Sequence, residues 1–150
     1  MNQNPYKLLG LTVGIHFFVM FALTYVGVFE WAHVYLNLNR FYMALIMVAP
    51  MVILMLFFMR KMYTNKKLNL ALYVVSAIVF VGGLVAIRAQ TFVGNEQFLK
   101  SMIPHHSIAI KTCKRANISD PEIRKLCGEI VKTQKEEIAQ MEDILRRINE

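Results

Sequence analysis

LNLALYVVSAIVFVGGLVAI, residues 68–87, is the stretch that decides the architecture. Its 20 residues contain no Asp, Glu, Lys or Arg, and a helix of that length covers about 30 Å, the hydrocarbon thickness of a bilayer. The same character recurs N-terminally at residues 41–59 (FYMALIMVAPMVILMLFFM) and 8–29 (LLGLTVGIHFFVMFALTYVGVF). The chain as a whole agrees: of its 150 residues 56% are hydrophobic and the mean hydropathy is +0.41, outside the soluble globular range. The stretch at 8–29 exceeds a signal-peptide core and no small-x-small cleavage site follows it, so it reads as a retained span. Residues 1–87 are therefore expected to form a membrane domain of three transmembrane helices, and residues 88–150 a separate water-facing part.

Basic residues set the expected orientation. Arg60, Lys61, Lys66 and Lys67 crowd the connection between the second and third spans, whereas the connection between the first two carries only Arg40, opposed by Glu30. The positive-inside rule puts the crowded connection in the cytoplasm. The N-terminus with Lys7 then lies inside and residues beyond Ile87 lie outside, as in a bacterial inner-membrane protein with a periplasmic C-terminal domain. Trp31, Tyr35 and Tyr42 suit the outer interface as aromatic anchors. The net charge of +7 is mostly topology, because residues 88–150 hold 11 basic and 9 acidic side chains, a balance of +2. No basic patch outside the lipid suggests a nucleic-acid partner.

From Asn95 onward the pattern becomes that of amphipathic helix. Phe98, Met102, His105 or His106, Ala109, Cys113 and Ala116 recur at spacings of three and four. Residues 117–122 (NISDPE) break and restart the helix, with Ser119 or Asp120 as cap and Pro121 tolerated in the first turn. A second helix follows with Ile123, Cys127, Ile130, Gln134, Glu137, Met141 and Leu145 on one side. The fold class expected is all-α: three spans and an extracytoplasmic antiparallel helical hairpin. In a simple hairpin register facing residues have numbers summing to about 239. Cys113 then meets Cys127, His105 and His106 meet Gln134, and Met102 meets Glu137. Pro104 deletes one helical hydrogen bond and frees a carbonyl near Lys100. It marks either a kink that turns the His pair or a helix that starts near Ser101.

The run Phe98-Leu99-x-x-Met102-Ile103-Pro104-His105-His106-x-x-Ala109-Ile110, followed by Asp120-Pro121-Glu122-Ile123-Arg124 and Gln134-x-x-Glu137-Ile138-x-x-Met141, resembles the bacterial domain of unknown function 305 (DUF305). The resemblance covers residues 95–145. It implies a ferritin-like helical domain, often extracytoplasmic and associated with copper or silver handling. It also implies a metal-binding role for His105, His106, Glu137 and Met141, with Met102 close by. This chain carries only one helical pair, a half-bundle, so a complete site would need a second subunit. Imidazole with thioether suits copper, and thioether favours Cu(I) or Ag(I) over zinc; Glu137 could instead orient an imidazole. For Cys113 and Cys127 a disulfide is the favoured reading in an oxidising compartment, ahead of soft-metal ligation or two buried thiols.

Met43, Met47, Met51, Met55 and Met59 recur every four residues in the second span and make a slowly winding stripe. Met is a common filler of packed or lipid-facing positions; the sharper reading is a ladder of thioethers carrying a soft monovalent metal. His16 should face protein rather than acyl chains, and Gly82 and Gly83 allow close helix approach. The leading functional expectation is a membrane-anchored extracytoplasmic copper-binding protein. A channel or transporter lined by the Met stripe and a structural or accessory membrane subunit are the alternatives. No nucleophile–base pair suggests an enzyme. A hairpin of this size cannot bury a sufficient core alone, so a homo-oligomer or docking onto a membrane partner is expected.

Overall fold

Three of the helices begin where the sequence supplies a side-chain cap. The side-chain oxygens of Asn4 and Asn65 accept the Tyr6 and Leu68 N–H groups, and that of Asp120 accepts those of Glu122 and Ile123. These are donors that a first helical turn leaves without partners. Pro5 and Pro121 occupy first-turn positions, where a missing N–H costs nothing. The computed structural model describes residues 4–150 and contains, among them, five α-helices and no strand. They are α1 (Pro5–Leu23), α2 (Leu38–Phe58), α3 (Lys66–Ala89), α4 (Asn95–Arg115) and α5 (Pro121–Asn149), with a single 3₁₀ turn at Trp31–His33.

Helices α1, α2 and α3 are each long and apolar enough to cross a membrane. The chain forms two compact units: the segment through Thr24 with Asn39–Thr91, and Tyr25–Leu38 with Phe92–Glu150. In the first unit Leu9, Val52, Leu56 and Tyr63 form a buried cluster. The Tyr6 hydroxyl donates to Asn69 Oδ1 (2.9 Å) and accepts from the Asn65 N–H (2.9 Å), while the Asn69 amide donates to the Tyr63 carbonyl (2.8 Å). Gly83 lets α2 and α3 come close: a Cβ there would lie 2.9 Å from Ile46 Cγ1, whereas Gly82 faces open space.

Helix α1 stops at Leu23, short of the expected span end at Phe29. The apolar residues beyond it serve a different core. Tyr25 and Val28 are buried, and Phe29 packs against the cluster of Leu99, Ile103, Ile110, Ile138 and Leu145 in the second unit. Residues 25–38 are thus a strap belonging to the same unit as α4 and α5.

Candidate functional site in the second unit

Helix α4 is laid between two partners. One face meets α5, to which Cys113 is joined by a disulfide with Cys127, the Cα atoms 5.3 Å apart. The other face meets the strap, which follows α4 in reverse. Lys111 Nζ donates to the Val26 carbonyl (2.8 Å) and Gly27 lies against Ile108. The Phe29 N–H donates to Ser107 Oγ (2.8 Å) and the Leu38 N–H to Gln97 Oε1 (3.0 Å). Lys114 Nζ sits 4.4 Å over the Phe29 ring. The buried face of α4 is therefore Leu99, Ile103, Ser107 and Ile110; Phe98, expected on the inner face, is exposed.

Helix α4 runs unbroken through Pro104. The proline removes the donor that Lys100 would have received, and the Asn37 side-chain amide supplies one instead (3.2 Å). The same amide also reaches the Tyr35 carbonyl (2.8 Å). One turn on, the fully buried Ser107 hydroxyl contacts His33 Nδ1 (2.9 Å) and takes the Phe29 N–H. Buried polar groups of this kind are retained when paired and costly when not.

His106 is the residue of the histidine pair aimed at α5. Its Nδ1 lies 2.9 Å from the Met102 carbonyl and its Nε2 lies 2.8 Å from Glu137 Oε2. A carbonyl oxygen only accepts, so Nδ1 carries the proton. Nε2 then presents either a lone pair or a second proton to a carboxylate oxygen. Nε2 and the carboxylate oxygen attract when one proton lies between them. Gln134 Nε2 also donates to Glu137 Oε2 (3.1 Å). His105 is exposed, its ring centroid 5.9 Å from that of His106 and tilted 66° to it.

Met102 precedes His106 by one turn on α4, and Met141 follows Glu137 by one turn on α5; both are half-buried. The register of the His106–Glu137 contact places Met102 and Met141 one turn along their helices from it, and Met141 packs on the core cluster of Leu99, Ile103, Ile110, Ile138 and Leu145. The partner of His106 is thus Glu137 rather than Gln134. The register begins at 240 at the disulfide and lengthens away from it, because contacts between helices recur by whole turns. Among the described residues no three His, Cys, Asp or Glu side chains gather for a metal. The contact that does form is one imidazole on one carboxylate, with Met102 and Met141 one turn along the same helices.

In α2 the buried row is Ala44, Val48, Val52 and Leu56. The Met stripe flanks it: Met43, Met47 and Met59 are exposed, Met51 and Met55 half-buried. His33, Asn37 and Ser107, which fix α4 from behind, carry no spacing signal in the sequence. The only pointer to them was the carbonyl that Pro104 frees.

Residues 84–148 match the family model described as a domain of unknown function, DUF305. An uncharacterized protein of Acanthamoeba polyphaga mimivirus is 38% identical over 112 residues, which are 73% of this chain and 72% of that protein. No solved structure gives a significant match.

Proposed function

Since the chain belongs to one family with that mimivirus protein and carries a DUF305 domain at residues 84–148, we propose that it is a membrane-anchored metal-binding protein. Its three apolar helices hold it in the cytoplasmic membrane with the N-terminus inside. The pair α4 and α5, a ferritin-like half-bundle, lies on the outer side and takes a soft cation, Cu(I) first and Ag(I) as its analogue.

The observation that carries this reading is the fixed imidazole. With the Met102 carbonyl holding Nδ1–H, His106 offers Nε2 outward, toward Glu137. A metal bound at Nε2 would take the place of a proton in that contact. Met102 and Met141 at the adjoining level add thioether sulfur, which selects soft monovalent ions over the harder ones that carboxylates favour. Glu137, half-exposed and steadied by Gln134, has room to draw back and serve as ligand or as neutralising carboxylate. His105 stands outside this set and is placed to receive the ion from water.

The test is metal analysis of the purified full chain after Cu(I) loading, beside a His105→Ala/His106→Ala variant. Loss of the bound copper with the Cys113–Cys127 bond still formed supports the site. Equal copper in both proteins overturns it and makes Met43, Met47, Met51, Met55 and Met59 the next place to look.

A further inference from the structure

The strap has an inner and an outer side. Tyr25, Val28, His33 and Asn37 are buried on the inner side. Outward stand Val26 at 66%, Trp31 at 82% and Leu36 at 68% exposure, and Phe92, where the chain re-enters the second unit, stands at 85%. Glu30 is the one Asp, Glu, Lys or Arg of the strap. Such exposure of large apolar groups calls for a cover.

Chain connectivity names the cover. Val26 comes three residues after the end of α1, Leu36 two before the start of α2, and Phe92 three after the end of α3. Three residues reach at most about 10 Å, comparable with the roughly 5–8 Å of headgroup region on each side of the hydrocarbon. Every passage between the two units therefore carries an exposed apolar side chain within reach of the interface. The strap is bonded to α4 at both Lys111 and Gln97, positions roughly 21 Å apart along a helix. Both strap ends lead straight into membrane-length helices. Phe92 supplies an independent observation. It holds φ at 59°, a conformation rarely adopted by an aromatic residue, while keeping its ring in the open.

We infer that the outer side of the strap, with Phe92, is a lipid-contact surface that lies in the headgroup layer. Trp31 and Phe92 are the aromatic anchors. Tyr42 and Tyr35, the other expected anchors, are committed elsewhere: Tyr42 is buried with its hydroxyl on the Thr91 carbonyl, and Tyr35 packs on the core of the second unit. This inference rests on the membrane reading above, and its test separates the two.

Trp31 is the only tryptophan of the chain, so its fluorescence reports one position. The full chain is reconstituted into phosphatidylcholine vesicles carrying bromine at shallow or deep acyl positions, and retention in the bilayer is measured by alkaline carbonate extraction. The expected result is retention, with Trp31 emission lost more to shallow than to deep bromine and protected from aqueous iodide. A Trp31→Phe/Phe92→Trp variant should respond in the same way. Retention with Trp31 quenched by iodide and untouched by bromine overturns the lipid-contact surface alone. Protection from both quenchers also overturns it, since protein then covers the strap. Loss of the protein on extraction overturns both readings.

Discussion

His106 is held at both ring nitrogens, by a carbonyl of its own helix and by a carboxylate of the next, and it is this double tether that separates it from His105. A His106→Ala variant should therefore lose most bound Cu(I), whereas His105→Ala should keep the stoichiometry and lose only part of the loading rate; metal content and stopped-flow uptake check the two. Protons and metal compete for the same Nε2, so acidification must release metal rather than strengthen its binding. Competition against a colorimetric Cu(I) chelator at falling pH measures this. On the opposite face of α4, Asn37→Leu leaves the Lys100 carbonyl without a donor and should cost about 1–3 kcal/mol in stability. Pro104→Ala restores a backbone N–H to that carbonyl, so adding it to Asn37→Leu should recover part of the loss. A double-mutant cycle by thermal denaturation in detergent would return a coupling near zero if Asn37 did not act through Lys100.

Among the elements, the strap changes what α4 and α5 amount to. Phe29 and Tyr35 pack on the cluster that Leu99, Ile103 and Ile110 form with Ile138 and Leu145 of α5, so a fragment spanning residues 88–150 exposes the side of its core that those two residues cover. It should bind a hydrophobic dye and melt without a cooperative transition, and supplying residues 25–38 in cis through a flexible linker should restore the transition. The disulfide closes a separation of 14 residues, worth roughly 3 kcal/mol by loop closure; reduction should lower the melting temperature of the second unit. Periodicity made the long apolar helices and the amphipathic character of α4 and α5 legible, and the Asp120-Pro121 restart was written in capping chemistry. The strap was not legible. Tyr25, Val28 and Phe29 continue the apolar run of α1, and hydropathy does not distinguish a residue facing lipid from one facing a protein core. The same ambiguity hid the α4 core face, because Leu99, Ile103, Ser107 and Ile110 are spaced as helically as Phe98, Met102 and Ala109. A candidate ligand set could be read from residue type and spacing, but not its register, since counting residues back from a turn ignores that helices meet turn by turn.

At the scale of the whole molecule, Arg60 and Lys61 between α2 and α3, with Lys66 and Lys67 at the start of α3, should keep that connection inside and residue 150 outside. A reporter fused after Glu150 that works only in an oxidising compartment should be active. Phe98, Ile123 and Leu126 remain exposed on α4 and α5, and burying them against a second copy would build the four-helix arrangement that ferritin-like sites use. Cysteine-specific cross-linking from Leu126→Cys should trap dimers in membranes; their absence there would leave the half-bundle as the working unit.

The strap also has consequences for the order of events in a cell. Its partners Lys100 and Ser107 on α4 lie 63 to 78 residues further along the chain, and α2 and α3 are made in between. At about 5–20 residues per second of synthesis, the strap waits on the order of 3–15 seconds before Ser107 and Lys100 exist to receive it. Until then His33 lacks Ser107, and Asn37 lacks Lys100 while keeping its bonds to Tyr25 and Tyr35 within the strap, so the second unit is completed only after α2 and α3 have been made. Nascent chains stalled before residue 100 should be cut by protease within residues 25–38, and chains released at full length should resist.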